Sequence, residues 1–270
     1  MSTAIQPASP TSLQLGLGRT VVEMKNLLRN RQYFGFTVLF PVMMLLLFAS
    51  IFTGTIDGTG VETSQVYVAG IIGSSLMSTA LVGLAIGIAI ERDAGLLKRL
   101  AGTPMPKVAY FLGKIGMVLI VSLVQSAVML ALGVSFFSVS LPRTFDAWLT
   151  FGWVFLLGVT ACTLLGISAG SIIRDAKSAP AVMNLPFVAL QFISGVFITV
   201  DQLPAWVVKV SQVFPLHWIC RGMRSVFVPD SFKVVESGGS WQLGTAAVVL
   251  AVWCVVGFFV CVRSFRWTRG

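Results

Sequence analysis

Residues 63 to 90 read TSQVYVAGIIGSSLMSTALVGLAIGIAI, a run of 28 residues without a charge. A helix that crosses a bilayer needs about 20 mostly apolar residues, so this run can cross once and is too short to cross twice. Only helices and closed barrels satisfy their backbone hydrogen bonds in lipid, and the run does not alternate with period two, which predicts a helix. Six such runs occur, at residues 32–56, 63–90, 115–142, 147–173, 178–200 and 237–262.

The composition excludes a water-soluble domain. Hydrophobic residues make up 56% of the 270 residues and charged residues 11%, whereas a soluble domain carries about 25% charge. The apolar content also excludes intrinsic disorder of the whole chain. Four cysteines without C-x-x-C spacing and one histidine suggest no zinc site and no disulfide framework. We expect an all-α membrane protein with six transmembrane helices and with no catalytic residue, cofactor or metal ion of its own.

The distribution of charge predicts the orientation. With six crossings both termini lie on one side, and that side carries 14 of the 19 Lys and Arg residues but 4 of the 10 acidic residues. Basic loops are retained in the cytoplasm. We therefore expect both termini to be cytoplasmic, and we interpret the basic excess as a topology signal rather than as a nucleic-acid-binding surface.

The segments before the first span differ in character. Residues 1–11 are polar and broken by proline, and we expect them to be disordered. An apolar stripe at helical spacing predicts an amphipathic helix over residues 12–31, lying in the inner membrane interface as an anchor or as a subunit contact. The stripe consists of Leu13, Leu17, Val21, Met24 and Leu28.

A membrane domain is expected over residues 32–262, with a basic cytoplasmic tail at 263–270. Residues 201–236 are too charged to span, and we expect short outer helices there, interfacial or re-entrant, with Trp206, Trp218, Arg221 and Arg224 as anchors. These helices could also narrow an exit. The expected spans cover residues 34–54, 66–90, 110–134, 148–172, 181–200 and 242–262.

The loop after the second span reads ERDAGLLKRLAGTPMPKVAYFLGK, residues 91 to 114. Its first part, Glu91 to Ala101, predicts a short helix with leucines on one side and basic residues on the other, ended by Gly102 and two prolines. An isolated helix of this length is marginal in water, so it would dock against another element. The alternative is a solvated hairpin that only supplies positive charge.

These residues resemble the permease subunits of type-2 ATP-binding-cassette exporters, especially bacterial drug-resistance permeases of the daunorubicin-exporter kind. The resemblance rests on the Glu91-Arg92 pair, the Gly-Leu-Leu-Lys-Arg-Leu helix, the Thr-Pro-x-Pro stop and the Leu-Gly-Lys start of span three. Residues 194–230 resemble the family's outer half of span five and its outer helices. The similarity covers nearly the whole chain and is specific for the superfamily but weak for the substrate.

The resemblance implies an exporter in a bacterial cytoplasmic membrane. Two permease copies would pair, as a homodimer by preference or with a paralogue, and each would contact one of two ATPase subunits that bind ATP and Mg. No GxxxxGK[ST] segment occurs in this sequence, so a separate ATPase is expected. The residues that the resemblance assigns to ATPase coupling are Glu91, Arg92, Asp93, Leu96, Leu97, Lys98 and Arg99, with a second contact at Arg174, Asp175 and Lys177.

The substrate pathway is predicted from polar faces of spans two and five, which lie near the dimer axis in the family. Polar amides in a membrane helix avoid lipid, although helix-to-helix hydrogen bonds would explain them equally well. Because the spans carry no formal charge, a lipophilic or amphiphilic cargo is expected. The candidate lining residues are Ser74, Met77, Ser78, Asn184, Phe187, Gln191 and Ser194.

Drug export has three alternatives. Export of a lipid-linked polysaccharide or lipo-oligosaccharide fits the same superfamily. A proton-coupled carrier is disfavoured because all ten acidic residues lie outside the charge-free runs. The G-x-S-x-G pattern around Ser168 suggests a serine hydrolase, but His217 falls on the opposite side of the membrane. We therefore interpret Gly166 and Gly170, like Gly83 and Gly87, as small-residue packing faces.

Overall fold

The computed structural model describes residues 11–137, 139–142 and 144–265. Residues 1–10 of the expected disordered segment and residues 266–270 of the expected basic tail lie outside the described residues. Helices dominate the rest, and one two-stranded antiparallel hairpin follows the first long helix, with β1 (Thr55–Ile56) paired to β2 (Val61–Glu62). The helices are α1 (Ser12–Arg29), α2 (Arg31–Ile51), α3 (Thr63–Met77), α4 (Leu84–Asp93), α5 (Leu96–Ala101), α6 (Lys107–Phe136), α7 (Phe145–Ile172), α8 (Ala179–Ile193), α9 (Ala205–Ser211), α10 (Pro215–Phe227) and α11 (Leu243–Ser264).

The expected fold class, an all-α membrane protein, is confirmed. Within the described residues, five helices are long and apolar enough to cross a membrane: Tyr33–Ile51, Thr63–Asp93, Lys107–Phe136, Phe145–Ile172 and Leu243–Ser264. The segment expected to form the fifth span holds α8, a helix of 15 residues, which is about 22 Å long. Because the hydrocarbon core is about 30 Å thick, the count of six crossings stays a prediction.

The second span is the centre of the bundle. It runs for 31 residues from Thr63 to Asp93, with the π-helical segment Ser78–Gly83 between α3 and α4. It packs against α7, α10 and α2. At Gly166 and Gly170 of α7 a Cβ atom would lie 2.5 Å from the Ala80 carbonyl oxygen and 2.8 Å from that of Ala85. The packing role predicted for these two glycines is confirmed. At Gly87 a Cβ would meet nothing within 4 Å, so the packing role predicted for Gly87 is wrong.

The close approach at Gly166 makes a testable prediction. We expect Gly166→Ala to lower the free energy of unfolding by about 1–3 kcal/mol, because the added methyl group forces two backbones apart. The control is Gly152→Ala in the same helix, where a Cβ meets nothing within 4 Å and alanine favours the helix. Thermal unfolding in detergent measures both variants, and equal melting temperatures would contradict the packing interpretation.

The helix expected over Glu91 to Ala101 is two helices, so that prediction is wrong. α4 ends at Asp93 and α5 begins at Leu96. Gly95 between them has φ +73°, the left-handed conformation that glycine adopts at the end of a helix. As a consequence α5 can take a direction of its own, independent of the second span.

Candidate coupling site at the ends of the spans

The two segments that the sequence assigns to coupling lie side by side. The Asp93 carboxylate accepts a hydrogen bond from the backbone N–H of Ala176 at 2.7 Å. Arg92 donates from Nη1 to the carbonyl oxygens of Gly170 at 3.0 Å and Ser171 at 3.3 Å. These carbonyls belong to the last turn of α7, where a cation is favoured by the helix dipole. Arg92 and Asp93 therefore tie the end of the second span to the turn that follows α7.

The remaining coupling residues divide between the surface and the interior. Leu97 is 2% exposed and faces the protein, and Leu96 is half-buried. The Asp175 carboxylate accepts a hydrogen bond from the Ser178 N–H at 2.7 Å, which lowers the pKa of Asp175. The exposed members of the set are Asp93, Lys98, Arg99, Arg174, Asp175 and Lys177. This group of charges, next to Leu96, forms a surface on which a partner subunit can dock. A rigid-body movement of that partner can be transmitted through such a surface.

Glu91 does not belong to that surface. Its carboxylate contacts the ammonium group of Lys114 and accepts a hydrogen bond from the Tyr110 hydroxyl at 3.1 Å. Lys114, 2% exposed, also lies 2.8 Å from the Glu23 carboxylate. Glu23 in turn pairs with Arg19. A buried chain of alternating charges thus connects the amphipathic helix to the second span through α6.

Small residues explain how α1 reaches this buried position. α1 begins with a capping box in which Thr11 and Gln14 exchange side-chain and backbone hydrogen bonds. A Cβ at Gly16 would lie 2.7 Å from Leu112 Cβ. At Gly113 and Gly116 of α6, the side chains of Arg19 and Thr20 occupy the space that a Cβ would need. The contact therefore depends on the glycines of both helices, while the predicted apolar stripe of α1 remains largely exposed, as a membrane-facing surface should be.

The sequence analysis missed Glu23 and Lys114 as partners. The signal that would have found them is the spacing of Gly16, Thr20, Glu23 and Leu27, which marks a second face of α1 and is the face that the structure buries.

The predicted pathway residues differ in how far they are exposed. Ser74, Met77, Phe187 and Ser194 are buried among its own helices, and the Ser74 hydroxyl donates to the Ile71 carbonyl oxygen. The pathway assignment stays a prediction. The accessible members of the set are Asn184, which is exposed, and Ser78 and Gln191, which are partly exposed.

The expectation that Trp218, Arg221 and Arg224 act as membrane anchors is wrong because all three side chains are buried, whereas the position of α10 on the outer side stays a prediction. Arg221 and Arg224 are at most 1% exposed, and α10 packs against α3 and α7. Glu236 pairs with Arg224, which also donates to the Gly195 carbonyl oxygen at 3.0 Å. Because these partners remove the arginines from lipid and water, α10 is a buried helix. Of the expected anchors, Trp206 is 69% exposed.

The catalytic pair Ser168 and His217 is not assembled. Ser168 donates to the Leu164 carbonyl oxygen at 2.8 Å within its own helix. His217 lies buried on α10 with Nδ1 3.0 Å from the Ser211 hydroxyl. Burial, with the charges of Arg224 and Arg221, lowers the pKa of His217 to about 3, so the imidazole is neutral. The rejection of a serine hydrolase therefore agrees with the contacts of both residues.

Comparison with known proteins agrees with this architecture. The sequence matches the family described as ABC-2 type transporter over residues 20–228. It is 22% identical over 163 residues to YbhR of Escherichia coli (strain K12), named as a probable multidrug ABC transporter permease, a match that covers 60% of this chain and 44% of YbhR. It is 24% identical over 208 residues to YvfS of Bacillus subtilis (strain 168), named as a transport permease, covering 76% and 82% of the two chains. The chain thus spans less than half the length of YbhR.

Proposed function

Because this chain belongs to the ABC-2 type transporter family, we propose that it is the membrane subunit of an ATP-driven exporter that moves a hydrophobic or amphiphilic compound out of a bacterial cell. A separate ATPase subunit, present in two copies, binds ATP and Mg and supplies the free energy. The subunit lies in the cytoplasmic membrane with both termini inside. A second copy of the chain completes the transport unit.

The observation that carries this proposal is the tie between Asp93 and Ala176. It joins the end of α4, against which α5 packs, to the turn after α7, so that these segments form one surface at the ends of two long spans. A force that a partner applies at Lys98 or Arg99 would therefore be transmitted to the second span and to α7 together. Because these spans pack against each other along their small residues, a movement of the surface reorients a rigid pair of helices, as alternating access requires.

The accessible face of α8 supports a second permease copy. Leu185 is 77% exposed and Val182 is 52% exposed, as expected for a helix that faces lipid or another protein. Asn184 lies exposed between them, and a polar amide is costly in hydrocarbon. A paired copy or a wet pathway between copies would remove Asn184 from lipid. Since α8 carries no formal charge, that pathway suits a drug-like, lipophilic cargo.

A charge-reversed pair of residues tests the coupling surface. We expect the double variant Lys98→Glu, Arg99→Glu to reduce ATP-dependent uptake of a lipophilic dye into inverted vesicles at least about tenfold, because it reverses two charges at a subunit contact. The vesicles carry the permease with the ABC ATPase that co-purifies with it. The control is Lys209→Glu, an exposed lysine on α9 that we expect on the outer side.

Each result separates the proposed function from its alternatives. Unchanged uptake in the double variant would contradict coupling through α5. Uptake that continues without ATP and stops when the proton gradient is removed would indicate a secondary carrier. Two results together would favour export of a lipid-linked polysaccharide. The wild-type complex would hydrolyse ATP but move no dye, and cells that lack the complex would have altered envelope glycans.

A further inference from the structure

A crevice of about 220 Å³ opens between α1, α2, α4 and α6, in the half of the membrane domain that holds the coupling site. The exposed lining residues Asn26 and Asn30 mark its mouth, and Lys114, whose ammonium group is paired, also lines it. Leu84 and Val121 line its inner part. From Lys114 to Val121, α6 rises about 10 Å, a third of the hydrocarbon core. The crevice is therefore polar at the membrane surface and apolar towards the membrane interior.

The mouth of the crevice continues into a cationic patch. Asn26 and Asn30 also line a shallow depression with Arg29 and Arg31, and Lys25 lines the next depression with the same two arginines. All three cations are exposed. In the part of the chain that the structure describes, none of them forms a salt bridge with a carboxylate. The patch is thus positioned to bind an anion that lies at the membrane surface.

The carboxylates inside the crevice do not oppose such an anion. Glu23 and Glu91 both line it, but each is already paired with Lys114, and Glu23 also with Arg19. The negative charges of the two carboxylates are therefore balanced by the positive charges of Lys114 and Arg19. Basic residues at the cytoplasmic surface of a membrane attract anionic lipids. The cations at the mouth, which form no salt bridge, therefore favour an anionic ligand.

From this arrangement we propose that the crevice is a binding site for one anionic phospholipid of the inner leaflet. The phosphate lies on Arg29 and Arg31, the amides of Asn26 and Asn30 bind its oxygens, and one acyl chain fills the apolar part between α4 and α6. The lipid then lies beside the ion pairs of Lys114 and stabilises the position of α1. This site is distinct from the coupling surface, and its existence does not depend on the proposed cargo.

Gly87 offers a way to fill the crevice. It lines the cavity, and a Cβ at this position would meet nothing within 4 Å. Gly87→Leu should therefore place a side chain where the acyl chain lies without disturbing a helix contact, and leucine is the better helix former. Gly152→Leu is the matched control, because a Cβ there also meets nothing within 4 Å and α7 does not line the crevice.

Native mass spectrometry of the full-length protein, purified from membranes that contain phosphatidylglycerol and phosphatidylethanolamine, tests the proposal. We expect one phosphatidylglycerol per chain to survive mild delipidation in the wild type and in Gly152→Leu. Gly87→Leu should lose it. The double variant Arg29→Gln, Arg31→Gln changes only exposed residues, and should lower the affinity for phosphatidylglycerol about thirtyfold.

Three results would overturn the proposal. One is retention of phosphatidylglycerol by Gly87→Leu at the level of Gly152→Leu. Another is equal retention of phosphatidylethanolamine, which would show that the mouth does not select an anion. The third is a retained molecule that leaves during ATP hydrolysis by the assembled complex, which would make the crevice part of the cargo route instead of a site for a resident lipid.

Discussion

Replacing Lys114 by methionine is expected to lower the free energy of unfolding by about 3–5 kcal/mol, because two carboxylates would lose the cation that lies between them. Lys114 is 2% exposed and pairs with both Glu23 and Glu91. Arg19 still neutralises Glu23 in the variant, so Glu91 is the group left without its cation. Both α1 and the second span should therefore loosen from α6.

A thiol-reactive dye can follow this loss of stability during heating. Cys162, Cys220 and Cys261 are buried and free, so they react when the bundle opens. Lys177→Met serves as the control, since Lys177 is exposed and a surface substitution costs at most about 0.5 kcal/mol. Combining Lys114→Met with Glu91→Leu should recover part of the loss. A melting temperature of Lys114→Met equal to that of Lys177→Met would show that the ion pairs contribute nothing.

The fold class could be predicted from the sequence because it depends on run lengths alone. A stretch of 28 residues without charge, such as 63–90, can adopt few structures in lipid, because its backbone hydrogen bonds must be satisfied within the protein. The amphipathic helix was also predictable, since its stripe is local in sequence. The second face of α1 was not, because Lys114 lies 91 residues from Glu23 and no periodicity connects them. Pairings over such distances are decided by packing.

The expectation that Arg221 and Arg224 act as anchors was wrong because their charge was taken as a sign of exposure. Arg221 and Arg224 lie on a helix that is amphipathic by sequence, which predicts an interfacial position. The structure buries that helix because Glu236, in the loop beyond it, supplies the opposite charge. The break at Gly95 was missed for a different reason, since glycine within a short helical pattern permits but does not require a left-handed turn.

Glu236→Gln, in the loop after α10, is expected to have a similarly large effect, about 3–5 kcal/mol of unfolding free energy, because it leaves two arginines buried without an anion. The two arginines differ in how far they depend on this carboxylate. Arg221 also donates to the carbonyl oxygens of Ser237 and Ser240. Apart from residue 236, the only acceptor that the structure assigns to Arg224 is the Gly195 carbonyl oxygen. Most of the loss should therefore arise at Arg224, which joins α10 to the end of α8.

A neighbouring ion pair provides the control. Asp230 and Lys233 lie 2.9 Å apart in the same loop, with side chains 76% and 35% exposed, and an exposed pair contributes about 0–1 kcal/mol. Lys233→Gln should therefore melt close to the wild type in the same dye assay. Replacing both partners, Glu236→Leu with Arg224→Leu, should be less damaging than Glu236→Gln alone, since no uncompensated charge remains at Arg224. If Glu236→Gln and Lys233→Gln had equal melting temperatures, the buried cluster would not be what holds α10 among the spans.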